Sequence, residues 1–306
     1  MPQNLITSIF QKYISNKSIE LFKGNIFYFI FFRLIRRFLN SPVIIKIHNF
    51  RVYASNIKNK TSHALIHKCG FDDKNELKLI KYISKIKKIF FIDCGCNFGF
   101  YSLFTASLSK KNVIKSFEAS LKTINDFKKN IKLNNFNNIE EKYFAISNKS
   151  NEEKIFYESM NDWESSITHN NFLKKKNTFV QSTTIDSELK NINLAEYFLF
   201  IKLDIEGHEF NALSGCVNTI DKYDIFFQIE LSRYNLNNKE FNFEFFKDFL
   251  KKYNYCIYNT DYDKIPLKQV IQNLKKLDKL KNTIGNYYLV KKNSKAEKYL
   301  NLINNE

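Results

Sequence analysis

The sequence predicts an α/β fold: a mostly parallel sheet with helices on both faces. Three observations carry that reading. Apolar runs of strand length alternate with segments whose apolar residues recur at helical spacing, from Asp72 to Val290. The order strand, helix, strand, helix, strand within one sheet means parallel strands joined by right-handed crossovers. Two of the apolar runs, Ile89 to Ile92 and Tyr197 to Leu203, end in acids beside glycines.

In chain order, residues 1–50 stand apart as an N-terminal extension. Ile26 to Phe32 is an unbroken apolar run, followed by Arg33, Arg36 and Arg37 among Leu34, Ile35, Phe38 and Leu39. Seven residues are too few to span a bilayer, and no small-residue cleavage site follows a signal-like core. Two readings remain. In the preferred one a helix packs its broad apolar face on the domain; in the other a basic amphipathic helix within residues 20–40 makes peripheral contact with an anionic membrane.

Asn49 to Ile57 reads as a strand, and Asp72 to Ile86 as a helix with Leu77, Ile80, Ile83 and Ile86 on one face. The first sheet strand follows, then a helix bearing Phe100, Leu103, Phe104 and Leu108, a second strand at Val113 to Phe117, a helix from Leu121 to Leu133 and a third strand at Tyr143 to Ser147. Residues 148–182 interrupt the alternation. Strands at Lys154 to Glu158 and Thr178 to Ile185 flank a polar stretch with Trp163 and His169, an insertion placed to help close a site. After Leu203 come a helix, a strand at Asp224 to Ile229, a helix over 240–252, a strand at Tyr255 to Asn259, a helix over 267–280 and a closing strand at Asn286 to Val290. That makes about seven strands in a domain spanning 51–290, and the polar tail from Lys291 reads as a frayed helix.

The 306 residues, 44% of them hydrophobic, suffice for a core in one large domain or two small ones. A net charge of +17 raises nucleic acid and anionic membrane as partners. Yet only five of the 48 basic residues are arginine, and Lys, Asn and Ile are used everywhere, a codon bias spread over the surface. Nucleic acid is therefore not the expected partner. Five cysteines, an odd number with no C-x-x-C pair, fit a reducing cytoplasm. Cys94 and Cys96 read as small fillers of a turn rather than metal ligands.

The first acid-bearing turn is Asp93-Cys94-Gly95-Cys96-Asn97-Phe98-Gly99. A strand-to-helix loop of this kind presents bare backbone N–H groups and a helix N-terminus at the carboxyl end of a sheet. A dinucleotide loop needs glycine where Asn97 stands, and a carboxylate at Asp93 would repel a pyrophosphate but suit a cofactor with an ammonium group. S-adenosylmethionine has one. Glu118, 25 residues after Asp93 at the end of the next strand, is placed to take two ribose hydroxyls. Cofactor candidates are thus Asp93, Gly95, Cys96, Asn97, Gly99, Tyr101 and Glu118, with Ala145 from the third strand.

The second turn is Lys202-Leu203-Asp204-Ile205-Glu206-Gly207-His208-Glu209. Period-two alternation places Lys202, Asp204 and Glu206 on one side if the extended conformation continues. Charges this dense at a strand end are expensive unless paired, solvated or used. Glu230 ends the next strand in the same way.

Together these residues resemble the FkbM-type S-adenosylmethionine-dependent methyltransferases, through D-x-G-x-N-x-G-x-Y-S from Asp93 to Ser102, Glu118, Thr183-Thr184-Ile185-Asp186, K-x-D-x-E-G-x-E from Lys202 to Glu209 with Leu213 and Gly215, and Glu230. The resemblance covers about residues 85–260. It implies a seven-stranded Rossmann-like methyltransferase sheet with its last strand antiparallel, and O-methylation of a small-molecule or sugar hydroxyl, here in surface-glycan synthesis. One departure is Ala119-Ser120 where a proline usually follows the ribose acid.

Methyl transfer from a sulfonium is an in-line displacement, so positioning supplies much of the rate, and a hydroxyl needs its proton drawn off. The candidate bases are Asp204 and Glu206 first, then His208, Glu230 and His169, with Lys202 keeping Asp204 ionised. A divalent metal held by Asp204, Glu206 and Glu230 is a second, less favoured arrangement. RNA 2′-hydroxyl methylation and a non-catalytic cofactor-binding role are the alternative functions.

Overall fold

The computed structural model describes residues 2–35, 42–54, 65, 73–159, 175–232, 242–277 and 284–304. Trp163 and His169 lie outside the described residues.

The strands are β1 (Val43–Ile47), β2 (Phe50–Ala54), β3 (Ile89–Cys94), β4 (Val113–Glu118), β5 (Ile139–Tyr143), β6 (Ala145–Ile146), β7 (Glu153–Ser159), β8 (Lys175–Thr183), β9 (Phe198–Leu203), β10 (Ile225–Ser232), β11 (Tyr255–Tyr258), β12 (Lys264–Ile265) and β13 (Ile284–Lys291). Eight of them form one sheet in the order β12-β11-β13-β10-β9-β3-β4-β5. The five from β10 to β5 are mutually parallel, and β13 enters antiparallel between β10 and β11. The expected seven strands become eight because two residues, Lys264 and Ile265, pair with β11.

β3 and β9 sit at the centre and are buried along their whole length. Alternation divides their side chains between two cores. Phe91, Phe200 and Phe226 face the helices Lys74–Ile86 and Phe100–Leu108, while Phe90, Ile92, Leu199, Ile201 and Phe227 face the other side with Phe210, Phe246 and Leu274. At about 1.5–3 kcal/mol for each large side chain removed from water, this paired burial holds the strand ends in register.

Three expectations are corrected. The third sheet strand is Ile139–Tyr143, an edge strand with half-exposed side chains; Ala145 and Ile146 have already left the sheet to pair with Ser182 and Thr183. The insertion forms an antiparallel β7–β8 hairpin, and Ile185, placed at a strand end by pattern, begins a helix capped by the Thr184 hydroxyl. The tail forms the helix Lys295–Asn304, which buries Ala296, Leu300 and Ile303 instead of fraying.

The Thr183–Asp186 motif is structural. Asp186 accepts hydrogen bonds from the backbone N–H of Asn218 (3.0 Å) and of Thr219 (2.8 Å), capping the helix Val217–Lys222. At the N-terminus, β1 and β2 pair across His48 and Asn49, so the 50/51 boundary falls within a hairpin. That hairpin docks on the helix Leu121–Asn134 through Arg51 N–H to Asn134 (2.7 Å) and Tyr53 N–H to Asn130 (2.6 Å).

Candidate active site

β3 ends at Cys94 and the chain turns sharply through left-handed residues Gly95, Asn97 and Gly99. The backbone N–H groups of this turn are not bare. Gly95 and Cys96 both donate to the Phe117 carbonyl on β4, Asn97 donates to Glu118 (2.9 Å), Phe98 to the Asn97 side chain (2.8 Å) and Gly99 to the Cys96 carbonyl. The sequence could not reveal this, because the carbonyl that takes two of the donors belongs to the neighbouring strand. What the turn offers a ligand is therefore its shape and its acids.

The glycines serve packing. A Cβ on Gly95 would lie 1.9 Å from the Asp204 carbonyl oxygen, and one on Gly99 would lie 1.9 Å from the Phe127 ring. Gly95 thus lets the two acid-bearing turns touch, and the Asp204 N–H completes the join by donating to the Cys94 carbonyl (3.1 Å).

Asp93 is 1% exposed. One of its oxygens accepts from the Ser102 hydroxyl at 2.5 Å, whereas Oδ1 has no hydrogen-bond partner among the described residues. Burial raises its pKa, against the opposing pull of Lys202 and Ser102. Glu118 accepts from the N–H groups of Asn97 and Ser120, and burial outweighs these bonds, pushing it up to about 7.

Three other cofactor candidates are buried. Cys96 is buried, with its thiol pushed well up by burial. Tyr101 receives a hydrogen bond from Gln228 and lies 4.8 Å from the Lys202 ammonium, over its ring face. Ala145 is buried with Phe156 and Val180 behind Ala119.

The second turn departs from the alternation at Glu206. β9 stops at Leu203, and Glu206 and Gly207 take positive φ values of 54° and 94°. Glu209 stabilises that turn by accepting from the N–H groups of Ile205 and Gly207, each at 3.0 Å. Glu206 still converges with Asp204 and Glu230: one carboxylate oxygen from each lies within 4.8 Å of the others.

His208, a candidate base, is turned away by the same left-handed pair. Its Nε2 lies 3.0 Å from the Ser147 hydroxyl, and burial, with Lys154, holds its pKa down to about 4. It is neutral at physiological pH, and no hydrogen bond among the described residues links it to the carboxylates.

Lys202 is the centre of charge. It sits on β9 directly between Asp93 on β3 and Gln228 on β10, and its ammonium lies 2.5 Å from Asp204. Burial works against the ammonium, but the charges of Asp204 and Asp93 prevail and raise its pKa. Burial also works to raise Asp204, and Lys202 together with a hydrogen bond from Glu230 brings it below the ordinary carboxylate value. Burial, then the charges of Asp204 and Glu206, lift Glu230 well above it. The two carboxyls are a coupled pair in which the proton is favoured on Glu230 and the charge on Asp204. A divalent cation at these oxygens would have to displace the Lys202 ammonium and that proton.

A mostly parallel sheet flanked by helices, with acids gathered at the carboxyl ends of adjoining strands, defines a Rossmann-like α/β fold with its candidate site at the strand ends. The chain belongs to the FkbM methyltransferase family: the methyltransferase FkbM domain model matches residues 93–257. No curated protein matches the chain.

Among solved structures, M. jannaschii TYW2 in complex with AdoMet is similar at 11% identity over 82% of this chain and 84% of that one, TM-score 0.39. P. horikoshii TYW2 in complex with MeSAdo is 14% identical over 81% and 70%, TM-score 0.39. StiE O-MT residues 961–1257 is 9% identical over 80% and 82%, TM-score 0.39. Likenesses of that size carry no weight on substrate or mechanism.

Proposed function

We propose that this protein transfers the methyl group of S-adenosylmethionine to a hydroxyl of a small molecule or sugar. The observation that carries the reading is the ionised Asp204, held by Lys202 at 2.5 Å and joined to the cofactor turn through the Gly95 contact. The residues fit the cofactor. Asp93 Oδ1 is a buried acceptor lacking a donor, suited to the ammonium of the methionine part, and Glu118 accepts the ribose hydroxyls. The cofactor supplies an electrophilic methyl on a sulfonium.

With that donor held by Asp93 and Glu118, Asp204 would draw the proton from the acceptor hydroxyl, freeing its oxygen to take the methyl. Glu230, whose protonated form is favoured, hydrogen-bonds Asp204 and so stabilises its anion. Lys202 and Tyr101 position Asp204. Following the family resemblance, the acceptor class proposed is a sugar hydroxyl of a surface glycan or its precursor.

Asp204→Asn removes the base but keeps the size. It is expected to lower turnover by about 10²- to 10⁴-fold while calorimetry shows unchanged affinity for S-adenosylmethionine. Radiolabelled methyl donor, incubated with extracts fractionated into glycan, RNA and protein, supplies the acceptor for that assay. Label confined to RNA, or wild-type turnover in Asp204→Asn, would overturn the reading.

A further inference from the structure

We propose that the N-terminal helix Ile26–Ile35 docks the enzyme on an anionic lipid surface. The helix has two apolar sides. Tyr28 and Phe32 are buried, with Tyr28 stacked on Phe22 and both rings near Phe10. On the other side Ile26, Phe27, Ile30 and Leu34 are 65%, 80%, 53% and 66% exposed. Their spacing of i, i+1, i+4 and i+8 makes them one stripe on a helix of 3.6 residues per turn. Leu21, 73% exposed in the preceding turn, extends it. Single exposed apolar side chains are ordinary, but a contiguous stripe marks a binding surface.

Charge decides what covers it. The first 50 residues hold seven lysines and arginines against one acid, Glu20, and that acid is engaged by His48 at 2.9 Å. Exposed Lys23 and Arg33 flank the stripe. A second copy would bring the same positive charge to the interface and be repelled, whereas an anionic headgroup layer attracts the basic rim as the stripe enters the acyl boundary. No described helix is long and apolar enough to cross a membrane, so the helix lies on the surface.

Its position suits the chemistry beneath. The β1–β2 hairpin on which the N-terminal segment rests packs His48 and Phe50 against Phe100, and Asn130, which fixes β2, also donates to the Phe98 carbonyl of the cofactor turn (2.9 Å).

The test is co-sedimentation of the full chain with phosphatidylcholine vesicles, with and without phosphatidylglycerol. Sedimentation is expected only with the anionic vesicles, weakening as salt is raised. The double variant F27E/I30E should sediment at least tenfold less, and Arg33→Glu should weaken the preference for anionic vesicles, both with unchanged thermal unfolding and unchanged S-adenosylmethionine binding. A wild-type chain that stays in the supernatant, a variant that sediments like wild type, or a concentration-dependent dimer abolished by F27E/I30E without vesicle binding would each overturn the proposal.

Discussion

The two acid-bearing turns solve opposite problems with similar residues. Between Gly95 and Gly99 every backbone N–H is bonded within the protein, and both glycines are packed against neighbours. Between Asp204 and Glu209 the backbone swings through a left-handed pair, and carboxylates gather around one lysine. The first turn is a shape set before any ligand arrives. The second is a charge arrangement whose protonation states are set by one another. On the proposed function, recognition would fall to the first turn and reaction to the second, although the two touch at Gly95.

The charged turn breaks most readily. Lys202→Met leaves the buried Asp93 and the half-buried Asp204 without their cation, and since removing one partner of a fully buried pair costs about 3–5 kcal/mol, a loss up to that size is expected. Urea unfolding at pH 7 should show that loss. Asp204 then loses the interactions that lower its pKa, so the deficit should shrink as pH falls and the carboxylates take up protons. A variant within about 1 kcal/mol of wild type would show that Lys202 is dispensable to the cluster.

The packed turn is expected to yield less, but in both functions at once. Gly95→Ala places a methyl against the Asp204 carbonyl and holds alanine at φ 77°. Overpacking and left-handed strain together cost about 2–4 kcal/mol. Unlike Lys202→Met, this change should not respond to pH, because no titrating group is removed. Loss of stability and of cofactor affinity together, at every pH between 5 and 8, distinguishes shape from charge.

How far such differences are legible depends on what makes each element. β3 and β9 are readable because central strands buried on both faces are continuous apolar runs. β5 is an edge strand, and Ile139-Glu140-Glu141-Lys142-Tyr143 carries so little apolar signal that the neighbouring Tyr143–Ser147 stretch draws the assignment. β12 is too short to show any period. That Asp93, Glu118, Lys202 and Asp204 lie at adjoining strand ends is legible from the apolar runs that precede them. The position of His208 beside Ser147 is not legible, because the positive φ at Glu206 and Gly207 rotates the chain after them, and no side-chain alternation encodes that rotation. The saturation of the first turn depends on Phe117, which sequence spacing does not bring near.

The smallest expected effect tests the first turn from its acidic side. Burial holds Glu118 up at about 7, so its ionised fraction grows through the neutral range. Ribose hydroxyls donate to the ionised form, and affinity for S-adenosylmethionine should tighten as pH rises from 6 to 8, by up to tenfold for each unit below 7, about 1.4 kcal/mol, then level off. Stability of the ligand-free protein should run the other way. The unfolded carboxyl ionises near 4.5 while the folded one keeps its proton to about 7, so between those values the unfolded state binds fewer protons and stability falls as pH rises. Glu118→Gln should flatten both curves in calorimetry and thermal unfolding. If affinity in the wild type is flat across pH 6 to 8, the ribose is held by the turn's shape alone, and the division between recognition and charge becomes complete.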